Sequence, residues 1–148
     1  MTSHDNDSIA LISKAIKLVQ KRFKALVIYK EVTQFSAGAK LGLAAFAANL
    51  AAWGEIENLV SCGQQTYMAL RYAPFPVVAA PSGMALGGGC EIVLASDAVQ
   101  APAETYIGLV EVGVGSIPGM GGCIVILRRL FSLCNFPQRP VLASRKRY

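Results

Sequence analysis

An α/β fold is predicted by three features of the 148-residue sequence. An amphipathic segment opens the chain, short apolar runs of strand length follow it, and glycine-containing stretches separate such runs from apolar segments of helix length. Strands that alternate with helices favour a sheet covered by helices. The length suits one domain, and a content of 53% hydrophobic and 16% charged residues argues against a disordered chain.

The first segment predicts an amphipathic helix with Asp7 or Ser8 as its N-cap. The apolar run over residues 25–29 then predicts a buried strand. The residues that would form the apolar side of the helix are Ile9, Ile12, Ile16, Val19 and Phe23.

Two further helices are predicted, over residues 41–53 and 55–72. The first is rich in Ala and Leu, and Pro74 and Pro76 end the second because proline cannot continue a helix. The residues expected to face inward from the second helix are Ile56, Leu59, Val60, Gly63, Tyr67 and Leu70.

The second half of the sequence predicts strands over 77–80 and 97–101. Between them lies a glycine run, 83–91, followed by an apolar stretch, 92–95, that can be helical. Residues 108–122 contain six glycines and one proline and are expected to be mostly loop.

The net positive charge of the chain comes from its C-terminal end. Residues 1–122 carry eight Lys or Arg and nine Asp or Glu, whereas residues 123–148 carry six Lys or Arg and no acid. We therefore expect a domain over 1–122 and a divergent basic tail over 123–148. Nucleic-acid binding is not predicted, although a functional basic arm stays open.

No apolar run approaches the roughly 20 residues that cross a bilayer. The polar N-terminus lacks the pattern of a secretory signal, so a cytoplasmic location is expected. The four cysteines form no C-x-x-C pair, which favours free thiols over a zinc site or disulfides. They are Cys62, Cys90, Cys123 and Cys134.

Several kinds of active site are disfavoured. His4 is the only histidine, so a catalytic triad or a histidine metal site has almost no support. No phosphate-binding loop of the G-x-x-x-x-G-K type occurs. The glycines at 113, 115 and 119 miss the spacing of a dinucleotide-binding loop.

Two glutamates in apolar stretches remain as candidates. Glu91 closes the glycine run and Glu111 lies twenty residues later. Buried carboxylates have raised pKa values and can serve as general acid and base. The alternative is that each is a solvated residue of a loop or helix end.

The glycine run predicts a site for a developing negative charge. If a helix begins near Gly88, its first N–H groups have no intrahelical acceptor and point together at the positive end of the helix dipole. A second N–H donor would come from the 37–39 loop. The alternative is that the glycines serve helix–sheet packing.

Three ordered motifs resemble the crotonase, or enoyl-CoA hydratase/isomerase, family. They are Phe35-Ser-Ala-Gly-Ala39, the segment 76–91 that ends in Gly-Gly-Gly-Cys-Glu91, and the segment 108–122 around Glu111. The amino-acid sequence of residues 64–115 is most similar to the hydratase part of bifunctional enoyl-CoA hydratase/3-hydroxyacyl-CoA dehydrogenases. The resemblance implies an incomplete crotonase-like spiral of β-β-α units.

The resemblance also implies residue roles. The N–H groups of Ala39 and Gly88 would form an oxyanion hole for a thioester carbonyl, and Glu91 and Glu111 would hold a water between them. One would take a proton as water adds to C3 of a trans-2-enoyl-CoA, and one would deliver a proton to C2. The residues that would border coenzyme A are Ala37, Gly38, Leu41 and Gly87.

The presence of both glutamates favours a hydratase of fatty-acid β-oxidation, because isomerases and decarboxylases of the family usually keep one. No metal or redox cofactor is implied, since coenzyme A is part of the substrate. A trimer-based homo-oligomer or a complementary chain is expected as partner. Because the resemblance lacks the family's first strands and stops at Gly122, a non-catalytic acyl-CoA binder, an assembly partner and a functionless remnant stay open as alternatives.

Overall fold

The computed structural model describes residues 6–31, 33–38 and 41–134. Over these residues the chain folds into helices and short strands, which confirms the α/β class. In chain order the elements are α1 (Asn6–Arg22), β1 (Leu26–Tyr29), α2 (Leu41–Asn49), α3 (Trp53–Arg71), β2 (Val77–Ala80), β3 (Met84–Leu86), α4 (Gly88–Ala95), β4 (Ala98–Val99), β5 (Tyr106–Gly108), a 3₁₀ turn (Glu111–Val114) and α5 (Gly122–Cys134).

The described strands form two small parallel sheets. The first has the order β1-β2-β4, and in it Ile28 is opposite Ala79. The second pairs β3 with β5, so that Leu86 is opposite Gly108. Parallel neighbours need a crossover connection, and here α2 and α3 together connect β1 to β2. The ends of β3 and β5 therefore lie side by side, where α4 and the 3₁₀ turn begin.

The hydrophobic core lies where the first sheet meets α3 and α4. Leu70 of α3, Val77 of β2 and Ile92 of α4 are among its most buried residues. Helix α1 packs on α3 and adds Ile16 and Val19 to the same core. Helix α4 is buried along most of its length, which positions the residues at its N-terminus rigidly.

The predicted helices are confirmed, with shifted boundaries. Helix α1 begins at Asn6, so the predicted N-cap at Asp7 or Ser8 is wrong. The helix predicted over 41–53 ends at Asn49, because Ala51 adopts a positive φ of 53° that a helix cannot continue through. Helix α3 starts at Trp53, two residues before its predicted start.

The strands were predicted less well. The strand predicted over 77–80 is β2, but β4 is shorter than its predicted range of 97–101. Strands β3 and β5 were missed because each has three residues beside glycines, too few for an alternating pattern. Strand β1 is not buried on both faces, since Val27 and Tyr29 are 61% and 63% exposed.

The C-terminal segment is described up to residue 134. Helix α5 starts at Gly122. The division of the chain into a domain over 1–122 and a basic tail over 123–148 stays a prediction. Residues 135–148 lie outside the described part. Cys62, Cys90 and Cys123 are free thiols, as expected. Among the described helices, none is long and apolar enough to cross a membrane.

Candidate functional site

The N-terminus of α4 is built from three glycines. Gly87 precedes the helix with a φ of 55°, which favours glycine, and Gly88 is the first helical residue, as the sequence predicted. Helix geometry leaves the Gly88 N–H without an intrahelical acceptor. A Cβ on Gly89 would lie 2.5 Å from the Ser36 Cβ, so this glycine serves close packing. The packing use of the glycine run is thus confirmed at Gly89, and the use of the Gly88 N–H for a developing negative charge stays a prediction.

The 35–38 segment runs beside β3 and reaches the same point. The Leu86 N–H donates to the Ser36 carbonyl at 2.8 Å, and the Gly38 N–H donates to the Ser36 hydroxyl at 3.2 Å. Gly38 has a φ of 93° and comes close to Gly87, because a Cβ on Gly87 would lie 3.5 Å from the Gly38 Cα. The two backbone segments expected to supply N–H donors therefore meet.

Glu91 lies on the first turn of α4 and is only 4% exposed. Its Oε1 accepts hydrogen bonds from the N–H groups of Met120 at 3.0 Å and Gly122 at 2.8 Å. Burial raises the pKa of the Glu91 carboxyl and the charge of Glu111 raises it further, while the two N–H groups oppose this shift. Glu91 is a buried carboxyl held by backbone, not a solvated residue.

Glu111 reaches the site through the pairing of β3 with β5. The Gly87 N–H donates to the Gly108 carbonyl at 2.9 Å, which places the following 3₁₀ turn beside α4. A Cβ on Gly87 would lie 3.2 Å from Glu111 Oε1. Glu111 Oε2 is buried and has no hydrogen-bond partner among the described residues. A buried carboxylate oxygen of this kind suits contact with a bound ligand or water.

The charges of both glutamates also affect Cys90, the residue that precedes Glu91. The Cys90 thiol is buried, and burial together with the charges of Glu111 and Glu91 raises its pKa to about 11. Cys90 is therefore a neutral thiol at ordinary pH and unsuited to nucleophilic attack. The chemistry that this cluster supports is proton transfer by carboxyl groups next to backbone N–H donors.

The structure brings five of the predicted site residues together: Gly38, Gly87, Gly88, Glu91 and Glu111. Of the remaining three, Ala37 is exposed in the adjoining loop and Leu41 is the first residue of α2. Ala39 and the side chain of Leu41 lie outside the described residues. The catalytic and coenzyme A-binding roles of all eight remain predictions.

Three contributors to the site were not predicted. The N–H groups of Met120 and Gly122 hold Glu91, and the Tyr67 hydroxyl donates to the Gly88 carbonyl at 3.3 Å. Burial, together with the charge of Glu91, raises the pKa of the Tyr67 hydroxyl above its ordinary value. The sequence predicted Tyr67 only as an inward-facing residue of a helix. The backbone N–H groups of Met120 and Gly122 could not be predicted as donors, because their use does not depend on the type of side chain.

The remaining space beside Glu91 is a cavity of about 140 Å³ whose lining includes Tyr67, Met120 and Arg128. Within the described part of the chain, no group of three His, Cys, Asp or Glu residues is placed to hold a metal ion.

The chain is similar in sequence to a known protein family and to curated proteins. The sequence matches the family described as enoyl-CoA hydratase/isomerase over residues 12–132. It is 40% identical over 116 residues to a probable 3-hydroxyacyl-CoA dehydrogenase of Bacillus subtilis, covering 78% of this chain and 15% of that protein. It is 42% identical over 112 residues to a putative fatty acid oxidation complex trifunctional enzyme of Rickettsia felis, covering 76% of this chain and 16% of that protein.

Among solved structures, the fold superposes on an enoyl-CoA hydratase from Bacillus anthracis with a TM-score of 0.76 and 27% identity. The superposition covers 85% of this chain and 48% of the other. The chain thus spans about half of that structure and less than a fifth of the two curated relatives. These matches confirm the resemblance read from the three motifs.

Proposed function

This chain belongs to the enoyl-CoA hydratase/isomerase family, and we propose that its site adds water across the double bond of a trans-2-enoyl-CoA. The observation that carries the proposal is the meeting of two glutamates beside the first N–H of α4. Glu91 is buried and held by two backbone N–H groups, and Glu111 has a buried oxygen without a partner among the described residues.

The proposed reaction uses these groups as follows. The thioester carbonyl accepts a hydrogen bond from the Gly88 N–H and a second one from the 37–39 loop. One carboxylate removes a proton from water as the water oxygen bonds to C3. The electron pair of the double bond moves toward the thioester oxygen, where the N–H donors stabilise the negative charge. A carboxyl group then returns a proton to C2, and one molecule of water has been added.

The substrate and setting follow from the same proposal. Acyl-CoA is the proposed substrate, and coenzyme A enters only as part of it, with no metal or redox cofactor. The named relatives, a 3-hydroxyacyl-CoA dehydrogenase and a fatty acid oxidation complex enzyme, support a place in fatty-acid β-oxidation. A trimer-based homo-oligomer or a complementary chain as partner, and a cytoplasmic location, remain predictions.

The test is loss of enoyl-thioester absorbance with crotonyl-CoA as substrate and the Glu111→Gln variant as the blank. Turnover that disappears in Glu111→Gln and persists in Glu104→Gln, a change at an exposed loop residue, is the expected result. Wild-type protein without turnover above the blank would overturn the proposal. Calorimetric binding of crotonyl-CoA in that case would favour the non-catalytic acyl-CoA binder instead.

A further inference from the structure

The hydrogen-bond donors that hold Glu91 lie where a loop enters α5, not on the helix that carries Glu91. Met120 lies in the loop before α5 and Gly122 is the first residue of that helix; we call residues 119–122 together the 119–122 loop. The backbone of this loop has little stiffness of its own, since three of its four residues are glycines. The position of the Met120 N–H must therefore be set by whatever the loop packs against, whereas α5 also contributes to the position of the Gly122 N–H.

The loop packs on α3 through two neighbouring residues, Gly63 and Gln64. Gly63 is buried, and a Cβ placed on it would lie 2.7 Å from the Met120 Sδ, 2.8 Å from its Cε and 3.2 Å from its Cγ. The Met120 side chain thus occupies the notch that the glycine leaves in the helix surface. Beside it, the Gln64 Nε2 donates to the Gly119 carbonyl at 2.6 Å. One contact fixes the side chain of the loop and the other fixes its backbone.

We infer that Gly63 and Gln64 are positioning residues for the Glu91 carboxylate, acting through the 119–122 loop. The connection is continuous, from the α3 surface to Met120 and Gly119, and from the loop N–H groups to Glu91 Oε1. Its catalytic consequence rests on the proposed hydratase function, whereas its effect on the protonation of Glu91 does not.

The expected direction follows from the bonds involved. The N–H groups of Met120 and Gly122 lower the pKa of Glu91 against the raising effects of burial and of the Glu111 charge. Moving the loop away weakens these bonds, so the pKa of Glu91 rises. The other titratable groups around Glu91 are Tyr67 on α3 and Cys90 on α4, and the guanidinium groups that line the adjoining cavity are those of Arg71 on α3 and Arg128 on α5. These groups are not altered by the substitutions proposed below.

The first experiment measures the titration of Glu91 itself. The protein is labelled with ¹³C at the glutamate carboxyl carbons, and the Glu91 signal is assigned by its loss in Glu91→Gln. Because the atoms nearest to Gly63 are the end of a flexible side chain, Gly63→Ala requires only a rotation of Met120, whereas Gly63→Leu requires the loop backbone to move. We expect an upward shift of the Glu91 titration midpoint that is small in Gly63→Ala and larger in Gly63→Leu.

Matched controls lie on the same helix. Gly54 has open space around its Cβ position, so Gly54→Leu adds the same side chain to α3 without touching the loop. Gln65 donates to Ser61 within α3, which makes Gln65→Ala the partner of Gln64→Ala. Gln64 and Gln65 are exposed, so these variants fold even if a larger residue at 63 does not. Both controls should leave the Glu91 titration unchanged.

The contact with Met120 is tested by a double variant. In a Met120→Ala background the notch no longer has an occupant, so adding Gly63→Ala should produce no further shift. A shift of equal size with and without the Met120 side chain would show that Gly63 acts by another route and would overturn its part of the inference.

The second experiment measures kinetics with crotonyl-CoA. Loosening a bond to a catalytic carboxylate should lower kcat by about tenfold in Gly63→Leu with little change in KM, whereas a general loss of folded protein would appear in thermal unfolding. If Gly63→Leu and Gln64→Ala both leave the Glu91 titration at its wild-type midpoint, the inference is wrong. If the titration shifts but no variant and no wild-type protein turns over, positioning stands and the hydratase proposal fails.

Discussion

The two glutamates of the candidate site are held in opposite ways. Glu91 belongs to a buried helix, is 4% exposed, and has two backbone N–H groups on one oxygen. Glu111 opens a 3₁₀ turn with no buried residue, and its buried oxygen has no partner among the described residues. The same fold thus fixes one carboxylate through backbone hydrogen bonds and leaves an oxygen of the other without a partner among the described residues.

Removing either carboxylate is the change with the largest expected effect. Glu91→Gln and Glu111→Gln should each lower hydration of crotonyl-CoA by about 10²- to 10⁴-fold, the usual contribution of a general acid or base. Because the proposed reaction uses the two groups as a unit, the double variant should lose far less than the product of the single losses. Initial rates with purified variants measure this. Independent, multiplicative losses would show that the two glutamates do not share one water.

The packing around the two glutamates differs in a way that stability measurements can detect. Gly89→Ala places a Cβ 2.5 Å from the Ser36 Cβ, whereas Gly113→Ala in the 3₁₀ turn meets nothing within 4 Å. We expect Gly89→Ala to lower the free energy of unfolding by about 1–3 kcal/mol, the usual cost of overpacking, and Gly113→Ala to change it little. Urea denaturation checks both. Equal effects would contradict the contrast between a rigid and a loosely packed side of the site.

The hydrogen bond of Tyr67 to α4, the helix that carries Glu91, contributes to stability in a way that can be measured. Its hydroxyl donates to the Gly88 carbonyl at 3.3 Å, and the residue is 3% exposed. Tyr67→Phe keeps the ring and removes the donor, so we expect a loss of about 1 kcal/mol in the free energy of unfolding. Thermal or urea unfolding measures it, with Tyr106→Phe at an exposed position as the matched control. An unchanged stability would mean that this hydrogen bond contributes nothing.

The smallest effect concerns the pH dependence of stability. The folded-state pKa of Glu91 is raised, chiefly by burial, so ionising it opposes folding at neutral pH. This opposition disappears as the pH falls below the ordinary glutamate pKa, about 4.3. Relative to Glu91→Gln, wild-type protein should therefore gain stability as the pH is lowered from 7 to 4. Urea denaturation at several pH values tests this, and a relative loss on acidification would contradict the prediction.

Much of the site could be predicted because its parts are local in sequence. The glycine run predicted the start of a helix near Gly88, and α4 begins there. The apolar surroundings of Glu91 and Glu111 marked both as unusual, and the structure places them at one site. The three motifs also identified the family, because each consists of contiguous residues that a reader of the sequence can compare directly.

The parts that could not be predicted depend on contacts between distant segments. The bond between Gln64 and the Gly119 carbonyl spans 55 residues, and the bond between Gly122 and Glu91 spans 31. Strands β3 and β5 pair with each other along their whole length. Neither is long enough to show a strand pattern in the sequence. Their pairing nevertheless delivers Glu111 to α4.

The sequence by itself determined the α/β class, the family and the chemical identity of the candidate site, because residue types, local spacing and helix-breaking or strand-forming preferences are properties of short segments. Only the tertiary structure decided which glutamate is held by backbone N–H groups and which has a buried oxygen without a partner among the described residues. That difference depends on the N–H groups of Met120 and Gly122. Backbone donors are the same in every residue except proline, so their use becomes visible only when the chain has folded.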